Sequence, residues 1–181
     1  MKTFNILVAF SLVFAIKAQT VSTITDGNFH DGLEVDAMGN LYGSDFTGDS
    51  VYKYDTNGEV SVFKSGFSSP NGIGIDPSGD IYICDHFANT IYKYDEDGDL
   101  LDTFAGLTTP AGIKNIPGTN EMLIVEYNSS TVKILDVDTG SISTVVSGSP
   151  INGPAGIAFV GTDIFIGNFN DRKILKLEKI G

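Results

Sequence analysis

Cysteine is almost missing from this chain of 181 residues: Cys84 stands alone, so no internal disulfide can form. Stability must come from packing and strand pairing. Cys84 directly follows the apolar run Ile81–Ile83, where a small buried hydrophobe is expected rather than a nucleophile. Basic residues are also scarce, 11 Lys and Arg against 23 Asp and Glu, for a net charge of −12. That surface argues against nucleic acid and anionic membranes as partners and is compatible with cations. No stretch after residue 20 shows a helical period, and none is apolar enough to cross a bilayer.

The one long apolar run is at the start. Lys2 precedes Phe4–Ile16, and small Ala18 precedes Gln19. This reads as a secretory signal over residues 1–18, with 19–181 as a single domain. The expectation is a secreted protein, extracellular or periplasmic. Loss of Lys2 and Lys17 with the leader makes the remainder still more acidic.

What the chain has in abundance is repetition. "HDGLEVDAMGNLYGSD" from His30 returns as "PNGIGIDPSGDIYICD" from Pro70, and weaker copies begin at Pro110 and Pro154. Gly32, Gly72, Gly112 and Gly156 mark the phase, roughly forty residues apart. In the second unit, β-branched and aromatic runs fall at Gly72–Asp76, Asp80–Asp85, Thr90–Asp95 and Asp99–Phe104. "DPSG" and "DEDG" separate them as hairpin turns, with Gly79 and Gly98 free to take positive φ. Four antiparallel strands in such a unit make a propeller blade. Runs such as "IYI" and "MLIV" are apolar on both faces, as a blade sandwiched between blades requires.

The ends of the chain are out of phase. "TVSTIT" aligns with a fourth strand, and "RKILKL" aligns with a third. The fold class expected is therefore all-β: a four-bladed β-propeller closed by an N-terminal outer strand, Val21–Thr25, set beside Ile174–Leu177. The same pairing made between two chains would give half of an eight-bladed dimeric ring. Monomer and homodimer both remain open.

In such a blade, the entry to the first strand and the second-to-third-strand loop open on one face, around the channel. The first set supplies His30, Asp31 and Asn71, with Ala111 and Ala155 in the later units. The second supplies Asp45, Asp85, His86, Glu126 and Asn168. An Asp closing the second strand can accept backbone N–H bonds and fix its loop. The same ring of carboxylates and an amide also suits a hard divalent cation, Ca2+ or Mg2+. His30 and His86 are candidates for a metal ligand or general base, with Asp85 as a further catalytic candidate. Asp36, Asp55, Asp76, Asp95 and Asp138 sit in hairpins on the opposite face and are expected to cap turns. Tyr52, Tyr54, Tyr92 and Tyr94 stripe the third strands and are expected between blades.

The units resemble NHL repeats and the blades of the senescence-marker-protein/gluconolactonase family, on the strength of Asp31–Asp45 and Pro70–Asp85. The resemblance implies a propeller, and for some members a divalent metal held by the residue before the repeat glycine. Asp31 and Asn71 match that position, and Glu126 is a further candidate ligand. Two functions follow as expectations. One is a binding module that takes a small-molecule, carbohydrate or protein ligand on the channel-mouth face. The other is a metal-dependent lactonase or hydrolase.

Overall fold

The computed structural model describes Thr23 and residues 31–178. It is all-β, with four antiparallel sheets arranged as a four-bladed β-propeller. Blade 1 comprises β1 (Leu33–Val35), β2 (Leu41–Ser44), β3 (Ser50–Tyr54) and β4 (Val60–Ser65). Blade 2 comprises β5 (Pro70–Ile75), β6 (Ile81–Asp85), β7 (Thr90–Tyr94) and β8 (Leu100–Phe104). Blade 3 comprises β9 (Pro110–Asn115), β10 (Glu121–Glu126), β11 (Thr131–Asp136) and β12 (Ile142–Ser147). Blade 4 has three described strands, β13 (Pro154–Val160), β14 (Asp163–Asn168) and β15 (Ile174–Leu177). The expected clasp strand Val21–Thr25, apart from Thr23, lies outside the described residues, as do the leader and His30.

Each blade is a meander, its strands hydrogen-bonded in chain order. The hairpins between first and second strands carry their own ligands. Asp36 accepts from the Met38 and Asn40 N–H groups, and Asp76 from those of Ser78 and Asp80. Asp55 and Asp95 repeat the device between third and fourth strands. In blade 3 the capping residue is Asp136, which accepts from Thr139 N–H at 2.8 Å. Asp138, expected in that role, instead accepts from the Asn120 side chain. The turn there is one residue longer before its glycine, which moves the cap upstream.

The core lies between blades, in three clusters. Ile73, Ile81 and Ile83 of blade 2 meet Tyr42 and Val51 of blade 1. Tyr82, Cys84 and Ile91 meet Ile113, Met122 and Ile124 of blade 3. Leu123, Val125 and Val132 meet Ile164 and Ile166 of blade 4. Alternate residues of one strand thus serve two neighbours, which is why neither face of "IYIC" could be polar. Tyr92 and Tyr94 pack on Phe67 between blades 1 and 2, as their stripe predicts. Cys84 is fully buried, and burial pushes its thiol pKa far up. It is an inert packing group.

Glycine lets the first strands crowd together at the hub. A Cβ on Gly72 would stand 2.6 Å from the Ala111 carbonyl oxygen, and one on Gly112 equally close to that of Ala155. The repeat glycine is a requirement of blade stacking.

Candidate functional site at the channel mouth

The ring residues Asp45, Asp85, Glu126 and Asn168 occupy one position in the four blades, the close of the second strand. All four are buried. Their hydrogen bonds show what holds them there. Asp85 accepts from Ser68 N–H at 2.8 Å and Ser69 N–H at 3.0 Å, both in the connection entering its own blade. It also accepts from Ala88 N–H in the loop that follows. Glu126 accepts from Thr108 N–H, Ser129 Oγ and the Lys133 ammonium, each at 2.8 Å. Asp45 accepts from Gly48 N–H at 2.9 Å and from Thr47 Oγ1. Asn168 donates to the Pro150 carbonyl at 2.8 Å. In blades 2 and 3 the side chain staples both mouth loops together, entry and second-to-third. A carboxylate does this best, because it offers several acceptor sites to inward-pointing N–H groups.

That commitment bears on the metal expectation. The acids of the ring already accept from backbone N–H groups, hydroxyls and a lysine. Among the described residues no group of three or more His, Cys, Asp or Glu side chains is placed to hold a metal ion. Asp31 and Asn71 lie apart from the ring, in the mouth itself, and two such donors do not make the oxygen cage that a calcium ion requires.

The mouth is a cavity of about 490 Å3. Asp31, Asn71, Ala111 and Ala155, from the four blade entries, lie at the channel. Phe46, His86, Phe87, Tyr127 and Phe169, from the four second-to-third loops, form the rim. Both sets converge on one face, as the strand order of a propeller requires. The rings touch in sequence around the opening. Phe46 meets His86 at 5.5 Å between centroids, His86 meets Tyr127 at 6.0 Å, and Tyr127 meets Phe169 at 6.0 Å. Phe87 packs on both Phe46 and His86. Phe87 and Phe169 are 62% and 70% exposed, an unusual state for phenylalanine at a concave opening. Tyr127 is oriented by donating to Asn170 at 2.7 Å.

Below the mouth the four first strands line a channel of about 420 Å3. Lys114, in its wall, pairs with Glu34 of blade 1 at 2.7 Å, an ion pair from blade 3 across to blade 1.

The electrostatics of the mouth are set by partial burial. Desolvation raises the Asp31 carboxyl above its usual value, and the nearby His86 pulls it back only in part. Desolvation also lowers the His86 imidazole below 6.5, against its contact with the Pro110 carbonyl and the charges of Asp31 and Asp85. At neutral pH the mouth therefore presents one carboxylate, amide groups, a neutral imidazole and four carbocyclic aromatic rings. Among the described residues that line it there is no lysine or arginine.

The structure brings Asp31, Asn71 and His86 together at this opening, and sequence reasoning missed the aromatic rim. The signal was present. Each ring residue is followed by an aromatic or imidazole group: Asp45–Phe46, Asp85–His86–Phe87, Glu126–Tyr127 and Asn168–Phe169. A larger hollow of about 660 Å3 on the hairpin face is lined by turn residues such as Pro77, Gly118 and Thr119, with no convergence of this kind.

No protein-family profile matches the chain, and no curated protein sequence does. Solved structures do. Virginiamycin B lyase from Staphylococcus aureus aligns at 19% identity and a TM-score of 0.62, over 82% of this chain and 54% of that one. A gluconolactonase from Xanthomonas campestris aligns at 18% identity and a TM-score of 0.69, over 81% of this chain and 57% of that one. A chain of a nidogen/laminin complex aligns at 14% identity and a TM-score of 0.61, over 81% of this chain and 74% of that one. The chain thus spans about half the length of the two enzymes, and identities this low speak to architecture. In fold, this chain is a β-propeller, similar in architecture to that gluconolactonase and to the nidogen/laminin-complex chain.

Proposed function

We propose that this chain is a secreted binding module that takes its ligand on the channel-mouth face without catalysing a reaction. The observation that carries the reading is the aromatic arc Phe46–His86–Tyr127–Phe169 standing over Asp31 and Asn71. Exposed rings offer flat apolar contact, and the carboxylate and amide offer directional hydrogen bonds. Ring-bearing ligands use both, as a carbohydrate does with its C–H face and hydroxyls. A described lining without a basic group disfavours phosphates and sugar acids. A protein ligand would be gripped by the same exposed Phe87 and Phe169. Export is supported by the sequence of residues 1–18.

The chain has no tryptophan, so Tyr127→Trp places a single fluorophore in the mouth. Titration with a panel of neutral oligosaccharides and aryl glycosides is expected to give a saturable emission change, reduced at least tenfold in affinity by Asn71→Ala.

A metal-dependent lactonase is the second reading, favoured by Asp31 and Asn71 standing at one cavity. The donor set argues against it. Melting with and without Ca2+, Mg2+, Mn2+ or Zn2+ is expected to show no shift. A rise with one ion that vanishes in the Asp31→Ala, Asn71→Ala double variant would reinstate it.

A further inference from the structure

Blade stacking follows one rule three times. Toward the blade that follows, each blade shows its repeat glycine, an apolar second-strand residue and an apolar third-strand residue. In blades 1 to 3 these last are Tyr42, Tyr82 and Leu123, then Val51, Ile91 and Val132, all at 0% exposure. Toward the blade before, each shows first-strand aliphatics, and Ile73 and Ile113 are 3% exposed. The fourth blade breaks the pattern. Gly156 has open space where a Cβ would go, and Ile174, equivalent to Val51, Ile91 and Val132, is 78% exposed. With Ala158, Val160, Phe165 and Gly167 they form an apolar hollow of about 560 Å3. The first blade is bare on the reciprocal side. Leu33 and Val35 are 57% and 55% exposed, where their counterparts Ile73 and Ile75 are buried and half-buried. Among the described residues these two end faces do not pack on each other.

We propose that a second copy of this chain covers both, blade 4 of each copy stacking on blade 1 of the other to close an eight-bladed ring about a two-fold axis. The identity of the occupant comes from the stacking rule. What fits against a repeat glycine and its apolar flank is the leading face of another unit, and the leading face left bare on this chain is that of blade 1. The contact continues an interface already made three times within the chain. Its two occurrences are equivalent, so the assembly terminates instead of growing. The second copy would also complete the mouth, adding its own arc of Phe46, His86, Tyr127 and Phe169 around a shared axis. This inference is independent of what the mouth binds.

Light scattering of the purified chain from low to high micromolar concentration is expected to give twice the chain mass. Gly156→Ala puts a methyl group into open space in a single copy, but against the partner's carbonyl in the ring. Ile174→Glu charges the same interface at an exposed position. Both variants are expected to keep the wild-type circular dichroism and to run at one chain mass. A wild-type chain that stays at one chain mass throughout overturns the proposal. So does an open-ended series of larger species, or a dimer unchanged by both substitutions.

Discussion

Asp85 shows how one side chain organises the mouth. Its carboxylate takes N–H bonds from Ser68, Ser69 and Ala88, so two loops depend on it. Asp85→Ala leaves those donors to find new partners, at about 1–3 kcal/mol for each one stranded away from water. Urea unfolding is expected to show a loss of at least about 2 kcal/mol, with Asp85→Asn milder because one acceptor oxygen remains. His86 gives a second test. Its folded pKa is lowered, chiefly by desolvation, so the unfolded chain takes up the proton first as pH falls. The stability this residue contributes is full above about pH 6.5 and declines as pH falls from there through the folded value. An NMR titration should place the imidazole below 6.5, and Asp31→Asn should lower it further by removing a charge that favours the cation. At this scale the sequence showed where the acids recur. It did not show what they hold, because backbone donors carry no letter of their own. Asp45, Asp85 and Glu126, which the sequence also offered as cation ligands, accept bonds from the mouth loops.

The blade is the unit at the next scale, and most of it was legible. The runs at Thr90–Asp95 and Asp99–Phe104 became β7, Thr90–Tyr94, and β8, Leu100–Phe104. The turn residues that end these runs also accept the N–H groups their hairpins expose. The register shifts in the outer pairings, such as that between Lys93 and Tyr94, left no mark in composition. The repeat glycine carries the clearest consequence. Gly72→Ala forces a methyl group to 2.6 Å from a backbone oxygen between blades 2 and 3. Overpacking of that kind costs about 1–3 kcal/mol, and thermal melting should show the loss for Gly72→Ala and Gly112→Ala alike. Gly156→Ala should leave the melting of a single copy unchanged, since nothing described stands near it.

Across the whole molecule, four blades could be counted from the letters, and the converging face followed from strand order alone. Whether the end blades meet could not be read, because the same aliphatic pattern serves an internal contact and an external one. Leu33 and Ile73 are near-identical letters in equivalent places, one exposed and one buried. The aromatic rim was hidden for a related reason. A phenylalanine beside an apolar strand reads as core, and only the loop geometry turns Phe87 and Phe169 outward. The mouth is thus assembled from loops of all four blades, and Phe87 and Phe169 stand exposed at it. The most direct measurement is the emission titration of the Tyr127→Trp chain against the oligosaccharide and aryl glycoside panel, repeated with Phe46→Ala and Phe169→Ala together. Saturable binding that weakens at least tenfold in the double variant, with its melting temperature unchanged, is the predicted result. A panel that leaves the emission flat, or binding indifferent to the loss of both rings, would contradict the assignment of this face as the binding site.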